Sequence, residues 1–478
     1  MLSFQEYDRG VLLHPLTAAL GALLVFSVFA FAAVEPWAAA AVEASLFLLA
    51  AAAAFRDRRF IRLPERLAVP FALALLLAFT AALQLVPLPR SLWAAVGDER
   101  ATLAAEAARA EALLRSEPYR TDALTGAVLP EDREPVLTPP PPGWIPTTFV
   151  PRATARALLA LLAFLAFLLL LEQVEEKGRQ ELRRLALATG IAGVAAGAVA
   201  LVQFRPGAQK VLGVRESLHA ASAFGPFINE NNGMGFVNVA LCLLYYLLYR
   251  KARKNPHPTN RLGLFVLASA LAAFHGVLLL IRTTGAGFWT PLLIPVVLGL
   301  RLLKDRPRAL LLASALLFAA VALTGAGMVL WGFTDLHGRL GIWKNALAGG
   351  HLILGNGLGA FADRFPSVLL DTPTRSAVLW LYPENEYLQL LFEGGILGAV
   401  VAGAALLWVF RLGVWALAAR GGGFLLVPAL WGEALHAATD FHFHIWPVVF
   451  AYTLAAVLAS PAEIRRRPRE TAEYPCHP

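Results

Sequence analysis

The chain is built from apolar runs of about twenty residues that alternate with polar connections. Because an α-helix rises about 1.5 Å per residue, a run of this length crosses the roughly 30 Å hydrocarbon layer of a bilayer. Hydrophobic residues make up 58% of the 478 residues, and charged residues make up only 15%. The runs lack amphipathic spacing. Together these features indicate an all-α polytopic membrane protein.

We predict about twelve transmembrane helices in a single integral membrane domain covering residues 1–478. The first run is interpreted as a retained span, because its Ala-rich surroundings contain no distinct cleavage site. The predicted spans are 16–34, 38–55, 67–86, 152–171, 185–204, 229–249, 262–281, 286–302, 309–331, 387–410, 424–440 and 444–460.

The basic residues predict the topology. Lys and Arg collect in alternate connections such as RDRRFIRLPER and YRKARKNPHPTNR, which assigns these connections and both termini to the cytoplasm. This clustering also explains the net charge of +8 better than nucleic-acid binding does. The segments 87–150 and 332–386 then lie on the outer side, and we expect these two large loops to form a cap over a lateral cavity.

Arg282 follows the seventh predicted span in the sequence LLLIRTTGAG. One interpretation is an anchor, because an Arg at a membrane boundary can extend its charge into the headgroup layer. The other is an anion clamp, in which the guanidinium fork binds phosphate and the nearby glycines let backbone amides approach. His275 lies seven residues earlier, on the same helix face.

The segment FGPFINENNGMGF places Asn229, Glu230, Asn231 and Asn232 at the start of the sixth predicted span. A single Asn would serve as a helix cap. Three Asn residues and one Glu exceed that requirement, which favours a polar cavity. Arg215 precedes this group and adds a positive charge on the outer side.

Polar residues are dense in the second large loop. Arg339, Trp343 and Lys344 recur at helical spacing and predict a short interfacial helix. A Gly-rich turn at residues 355–359 follows, and it matches no phosphate-loop fingerprint. The loop ends in LYPENEYLQLLFEGGILG. Here a short polar segment, residues 383–386, which we call the polar knot, runs directly into an apolar span.

The sequence EALHAATDFHFHIWP carries His436, Asp440 and His444 at four-residue steps. On a continuous helix these side chains would share one face. This spacing superficially suggests a metal site, but a polar end to the outer cavity is favoured, because metal sites usually need more ligands and supporting partners. We predict no metal and no cofactor.

The chain resembles the O-antigen ligase and O-antigen polymerase superfamily of bacterial envelope glycan enzymes. The resemblance extends from about Leu83 to the last span. It is carried by LQLVPLP, PTTFVPRATARALLALLAF, FGPFINENNGMGF, HGRLGIWKNAL, LGNGLGAF, ENEYLQLLFEGGILG and LHAATDFHFHIWP. Each motif is weak by itself, and their order along the chain makes the set specific.

The resemblance implies an all-helical, GT-C-like architecture in the bacterial inner membrane with a periplasmic active site. The implied activity is metal-independent, inverting glycan transfer from a polyprenyl-pyrophosphate oligosaccharide to an acceptor hydroxyl. Polymerisation of lipid-linked repeat units is preferred over ligation to a lipid A core or to protein. A transporter or flippase of lipid-linked sugars is the alternative from another class. The implied partners are the donor, a glycan or lipid-linked acceptor and membrane lipids, with other polysaccharide-assembly proteins as candidates.

The resemblance also implies residue roles. Glu384 stands where the family has a His, and it is the preferred base; Glu386, His337 and His436 stay open as alternatives. Arg282, with Arg215 or Arg339, holds the pyrophosphate. The remaining predicted substrate-binding residues are Asn229, Asn231, His337, Lys344, Asn385, Tyr387, His436 and Asp440.

Overall fold

The computed structural model describes residues 14–56, 66–95, 99–100, 102, 106, 143–203, 209–217, 223–255, 257–281, 288–330, 339–369 and 380–460, with backbone alone for 281, 318 and 321–330. The described chain is mostly helical. The α-helices are α1 (Pro15–Phe29), α2 (Pro36–Arg56), α3 (Ala68–Leu85), α4 (Arg90–Ala95), α5 (Pro151–Glu176), α6 (Arg179–Gln203), α7 (Glu230–Lys254), α8 (Pro258–Ile281), α9 (Trp289–Arg301), α10 (Pro307–Leu330), α11 (Arg339–Gly349), α12 (Phe361–Val368), α13 (Glu386–Ala418), α14 (Val427–His436) and α15 (Trp446–Ala459).

Every predicted span contains a helix of this set. Within the described residues, seven helices are long and apolar enough to cross a membrane, namely α2, α3, α5, α6, α7, α8 and α13. Helices α1, α9 and α15 and the start of α10 are apolar but shorter. These helices agree with an all-α membrane protein, and the number of twelve spans stays a prediction.

Many large apolar side chains lie on the outer surface of the helices. Leu280 is 81% exposed and Phe79 is 58% exposed. A water-soluble protein of this size would bury such residues, whereas a lipid environment accepts them. The distribution therefore fits helices whose outer faces contact lipid.

Helix α7 lies in the interior and packs closely against α6. Gly193 of α6 faces Ala240 of α7 so closely that a Cβ atom at residue 193 would clash with it. One turn later, a Cβ on Gly197 would lie 2.9 Å from Phe274 and Leu278 of α8. The small residues at these positions allow the backbones to approach, as in other packed membrane helices.

Besides the helices, the described residues form two short antiparallel strand pairs. β1 (Pro87–Pro89) pairs with β2 (Trp144–Pro146), and β3 (Lys210–Val211) pairs with β4 (Arg215–Glu216). The first pair closes the two ends of the loop predicted at 87–150, of which residues 107–142 lie outside the described chain. Proline disfavours helix at these ends, so the loop begins and ends in extended backbone.

At the other ends of the helices, the structure joins connections that were predicted to share the cytoplasmic side. Arg66 forms an ion pair with Glu175 at 2.9 Å, and both are buried. Arg179 donates a hydrogen bond to the Ser460 carbonyl oxygen at 2.9 Å. The contacts show that these connections lie on one side, and the assignment of that side to the cytoplasm stays a prediction.

Candidate functional site

The segment that carries Glu384 is held in place by its neighbours. Trp343 of α11 donates its indole N–H to the Pro383 carbonyl oxygen at 2.8 Å. The Tyr382 ring stacks on Phe441, with the ring centroids 4.2 Å apart. Asn385 caps α13 by accepting a hydrogen bond from the Leu388 backbone N–H at 2.9 Å. These contacts fix the polar knot against the turn that follows α14.

Glu384 has an unusual backbone conformation and a charged partner. Its φ angle is +56°, in the left-handed region, which for a non-glycine residue costs about 1–3 kcal/mol and often marks a functional site. Arg339, the first residue of α11, donates a hydrogen bond from Nη2 to Glu384 Oε2 at 3.1 Å. Each of the two side chains is 17% exposed, so this pair lies at the rim of the buried region.

The surroundings raise the pKa of Glu384 to about 7. Burial is the largest cause, and the negative charge of Asp440 adds to it. Arg339 opposes both effects through its charge and its hydrogen bond. The result is a carboxylate that takes up and releases a proton near neutral pH, as a general base requires.

Asp440 links this pair to the start of α7. Its carboxylate is fully buried, lies 3.8 Å from Arg339 Nη2 and accepts a hydrogen bond from the Asn231 amide. Asn229 caps α7, because its side chain accepts a hydrogen bond from the Asn231 backbone N–H at 2.8 Å. The Asn group thus contains both a helix cap and a residue of the polar cluster.

A second, deeper group of polar side chains surrounds Glu433 of α14. His436 Nδ1 lies 3.0 Å from Glu433 Oε2, and His442 Nε2 lies 3.6 Å from the same oxygen. Thr290 donates a hydrogen bond to Glu433 Oε1 at 3.1 Å. The Asn238 amide Nδ2 of α7 lies 3.4 Å from that oxygen. Its Oδ1 atom lies 2.8 Å from His275 Nε2 and accepts a hydrogen bond from it, because an amide oxygen cannot donate.

His436 connects the two groups. Its Nε2 atom lies 3.8 Å from Asp440 Oδ2, while its Nδ1 atom faces Glu433. The described side chains therefore form a continuous series of contacts from the exposed rim into the helix bundle. In order, the series contains Glu384, Arg339, Asp440, His436, Glu433, Asn238 and His275.

The continuous helix on which His436, Asp440 and His444 would share one face is not formed, although His436 and Asp440 still contact each other. Helix α14 ends at His436, where Thr439 donates its hydroxyl to the His436 carbonyl oxygen at 3.2 Å. A 3₁₀ turn at His442–His444 follows. Because the helix is broken, His444 turns towards α13, and its Nε2 lies 3.2 Å from Glu386 Oε2.

Glu386 has partners that favour a structural role. Its Oε1 atom accepts a hydrogen bond from the Phe443 backbone N–H at 2.8 Å, and its backbone N–H donates to Ala437 at 2.9 Å. One residue further, the Tyr387 hydroxyl donates to the Ala434 carbonyl oxygen at 2.5 Å. These bonds join the start of α13 to the end of α14, and so they hold the rim in shape.

The Gly-rich turn binds α13 instead of forming an open phosphate cradle. Gly355, Gly357 and Gly359 all have positive φ angles, as a glycine turn predicts. The Asn356 backbone N–H donates to the Phe392 carbonyl oxygen at 2.9 Å. Glu393 accepts hydrogen bonds from the Gly359 and Phe361 backbone N–H groups at 2.8 and 3.1 Å. The turn therefore uses several of its amides on α13.

The other predicted residues divide into three cases. Arg215 forms an ion pair with Glu35 at 2.5 Å, and no contact described for it reaches Glu384 or Asp440. Lys344 is exposed on α11, as expected for a residue that solvates an interfacial helix. Arg282 and His337 lie outside the described residues.

Sequence reasoning missed Glu433, His442, Asn238 and Thr290 as members of the deeper group. A signal existed for the first. Glu433 is an acidic residue inside a predicted span, three positions before His436 and so on the same helix face. Asn238 likewise interrupts an apolar run seven residues after Asn231. Lone polar residues within spans would have pointed to both.

Comparison with protein-family models and with curated proteins finds no match to this chain.

Proposed function

We propose that the protein is a glycosyltransferase that moves a glycan from a polyprenyl-pyrophosphate donor to an acceptor hydroxyl at the periplasmic face of the bacterial inner membrane. The observation that carries this proposal is the arrangement of Arg339 between Glu384 and Asp440 at the rim of a buried polar region. It combines a carboxylate that is poised near neutral pH with a guanidinium that can bind phosphate.

The reaction would start when Glu384 accepts the proton of the acceptor hydroxyl. The acceptor oxygen then forms a bond to the anomeric carbon from the face opposite the leaving group. The bond between that carbon and the pyrophosphate oxygen breaks, and the pyrophosphate leaves with the electron pair. This displacement inverts the anomeric configuration, and no metal takes part at the reacting atoms.

Arg339 would bind and stabilise the pyrophosphate leaving group. A pyrophosphate carries more negative charge than a single carboxylate, so it competes with Glu384 for the guanidinium. Because Arg339 holds the pKa of Glu384 down, loss of that contact favours proton uptake by Glu384. Donor binding would therefore strengthen the base at the step that needs it. Arg282 and Arg215 are the further proposed pyrophosphate ligands.

The apolar exterior supports a lipid-linked donor. A polyprenyl chain would lie in the membrane against exposed apolar helix faces, while its pyrophosphate stays at the polar rim. We expect loops 87–150 and 332–386 to cover that rim. The predicted substrate contacts are Asn229, Asn231, His337, Lys344, Asn385, Tyr387, His436 and Asp440. Asn229, Asn385 and Tyr387 make local hydrogen bonds that would shape the site.

The test is incubation of the purified protein with polyprenyl-pyrophosphate repeat units, followed by separation of the products by size. A ladder of lengthening glycans supports polymerisation. A single addition that requires a lipid A core or a protein acceptor supports ligation instead. If no bond forms, but labelled lipid-linked sugar crosses the membrane of reconstituted vesicles, the protein is a transporter and the proposal is wrong.

A further inference from the structure

We propose that Glu433, His436 and His442 form a buried site for a divalent transition-metal ion, with Zn²⁺ as the best fit. This group lies deeper than Glu384 and Arg339 and shares His436 with the predicted substrate contacts, and its test does not depend on the transfer activity. Its first basis is the convergence of ligand atoms. One ligand atom from each residue lies within 4.8 Å of the other two, and all three residues are buried.

The separations are close to those of a metal site. Tetrahedral Zn²⁺ with nitrogen and oxygen ligands at about 2.0–2.2 Å places neighbouring ligand atoms roughly 3.3 Å apart. Glu433 Oε2 lies 3.0 Å from His436 Nδ1 and 3.6 Å from His442 Nε2. Small side-chain rotations would therefore bring each imidazole nitrogen to the ideal separation from the Glu433 oxygen. Two His and one Glu are a known protein ligand set for Zn²⁺ with one position left open.

His442 provides independent support. Its side chain is completely buried, and neither ring nitrogen has a hydrogen-bond partner among the described residues. A buried polar group without a partner costs about 1–3 kcal/mol. The ring lies against that of His436, with the centroids 4.3 Å apart, so its Nε2 atom faces the group. A metal ion bound at Nε2 would satisfy that atom.

The surroundings provide the supporting contacts that metal ligands usually have. The second oxygen of Glu433 accepts a hydrogen bond from Thr290 and faces Asn238. His436 would bind the metal through Nδ1 and present Nε2 to Asp440, 3.8 Å away. A carboxylate behind a metal-bound imidazole is the common arrangement, because it fixes the tautomer and orients the ring.

Charge balance points the same way. Glu433 and Asp440 are fully buried, and Arg339, the described cation paired with Asp440, also pairs with Glu384. Buried carboxylates inside a membrane protein need compensating positive charge. A divalent ion would supply it at Glu433, which is linked to Asp440 through His436. The competing explanation is a proton on His436, which would compensate one negative charge without any metal.

The test is metal analysis of the full chain, purified in detergent without chelators and carrying a tag that lacks His and Cys. We expect about one equivalent of Zn²⁺ or another first-row divalent ion per chain. His442→Phe keeps a buried ring and should fold, yet it should lose the metal. His351→Ala is the matched control, because His351 pairs with a different carboxylate, Glu99, at 2.8 Å, and it should retain the metal.

A second measurement tests the proposal even if the His442→Phe variant fails to fold. Wild-type protein is stripped with a chelator and titrated with Zn²⁺ alone while its thermal unfolding is followed. The unfolding midpoint should rise with added Zn²⁺, since an ion that binds only the folded state stabilises it. The proposal is overturned if the purified protein contains no stoichiometric metal and Zn²⁺ leaves the midpoint unchanged, or if His442→Phe keeps the metal. The first result would leave the protonated His436 as the explanation.

Discussion

The Arg339 guanidinium lies 3.1 Å from the carboxylate of Glu384 and 3.8 Å from that of Asp440. One positive charge is thus shared by two negative ones, and Arg339 and Asp440 have opposite effects on the pKa of Glu384. Arg339 lowers the pKa of Glu384, whereas Asp440 raises it. Removal of either neighbour should therefore change the pH at which Glu384 takes up a proton.

Replacing Glu384 by Gln should lower turnover by roughly 10²–10⁴-fold, because the amide keeps the shape of the side chain but cannot accept the proton. Donor binding should change little. The measurement is the rate of glycan formation at saturating donor. Glu216→Gln is the control, since Glu216 is an exposed residue that pairs with Lys210 at 3.6 Å. Normal turnover in Glu384→Gln, together with an inactive Glu386→Gln or His337→Ala, would show that the base is another residue.

The kcat/KM of the wild type should fall as the pH drops below about 7, because Glu384 of the free enzyme, with its raised pKa, becomes protonated. Asp440→Asn removes a negative charge that raises this pKa, so the acidic limb of the profile should move to lower pH. The measurement is kcat/KM against pH for both proteins, because this ratio reports the free enzyme, in which Arg339 contacts Glu384. Glu384→His should regain part of the activity lost in Glu384→Gln, with a profile in the imidazole range. An unchanged acidic limb in Asp440→Asn would contradict the assignment of that limb to Glu384.

Arg282→Lys should reduce activity steeply while expression stays normal. The ammonium keeps the charge and the ability to anchor a helix, but it loses the planar fork that binds phosphate through two bonds. Activity and the amount of folded protein are measured side by side. Arg308→Lys, at an exposed position of α10, is the control. Activity near the wild-type level in Arg282→Lys would leave the residue as a membrane anchor.

The predicted topology can be tested with single cysteines in a variant in which Cys242 and Cys476 are replaced by Ser. Cysteines at Asp122 and Asp363 should react with an impermeant thiol reagent added to the periplasmic side of intact cells. A cysteine at Asn255 should react only after the cells are opened, because it lies in a basic connection. Labelling of residue 255 alone in intact cells would reverse the assignment. Labelling of all three sites would refute it.

Gly395→Ala should destabilise the protein by about 1–3 kcal/mol. Gly395 interrupts α13 with a φ angle of +62°, and a Cβ there would collide with the Ile353 carbonyl oxygen. Gly403 of the same helix has open space around it, so Gly403→Ala should be neutral or stabilising by up to about 1 kcal/mol. Thermal unfolding in detergent compares the two variants. Equal effects would mean that the protein does not need the left-handed conformation of Gly395 for its stability.

The helices of this protein can be predicted from the sequence because they depend on local properties. The length and apolarity of each run indicated a helix, and each predicted span contains one. The helix at Arg339–Gly349 and the positive φ angles of the glycines that follow it were equally accessible. Glu384 was identified by its place in a motif, since a polar knot beside a long apolar run is unusual in such a chain.

The partners of the polar residues were decided only by the tertiary structure. Glu433 meets Asn238, which is 195 residues away in the chain, and Arg215 meets Glu35, which is 180 residues away. Sequence spacing cannot specify such pairs, because they depend on which helices pack together and how each is rotated. The end of α14 at His436 was also hidden, because hydrogen bonds in the following turn replace those of a continued helix. The sequence by itself determined the helices, and the packing of those helices decided which side chains meet within the polar region.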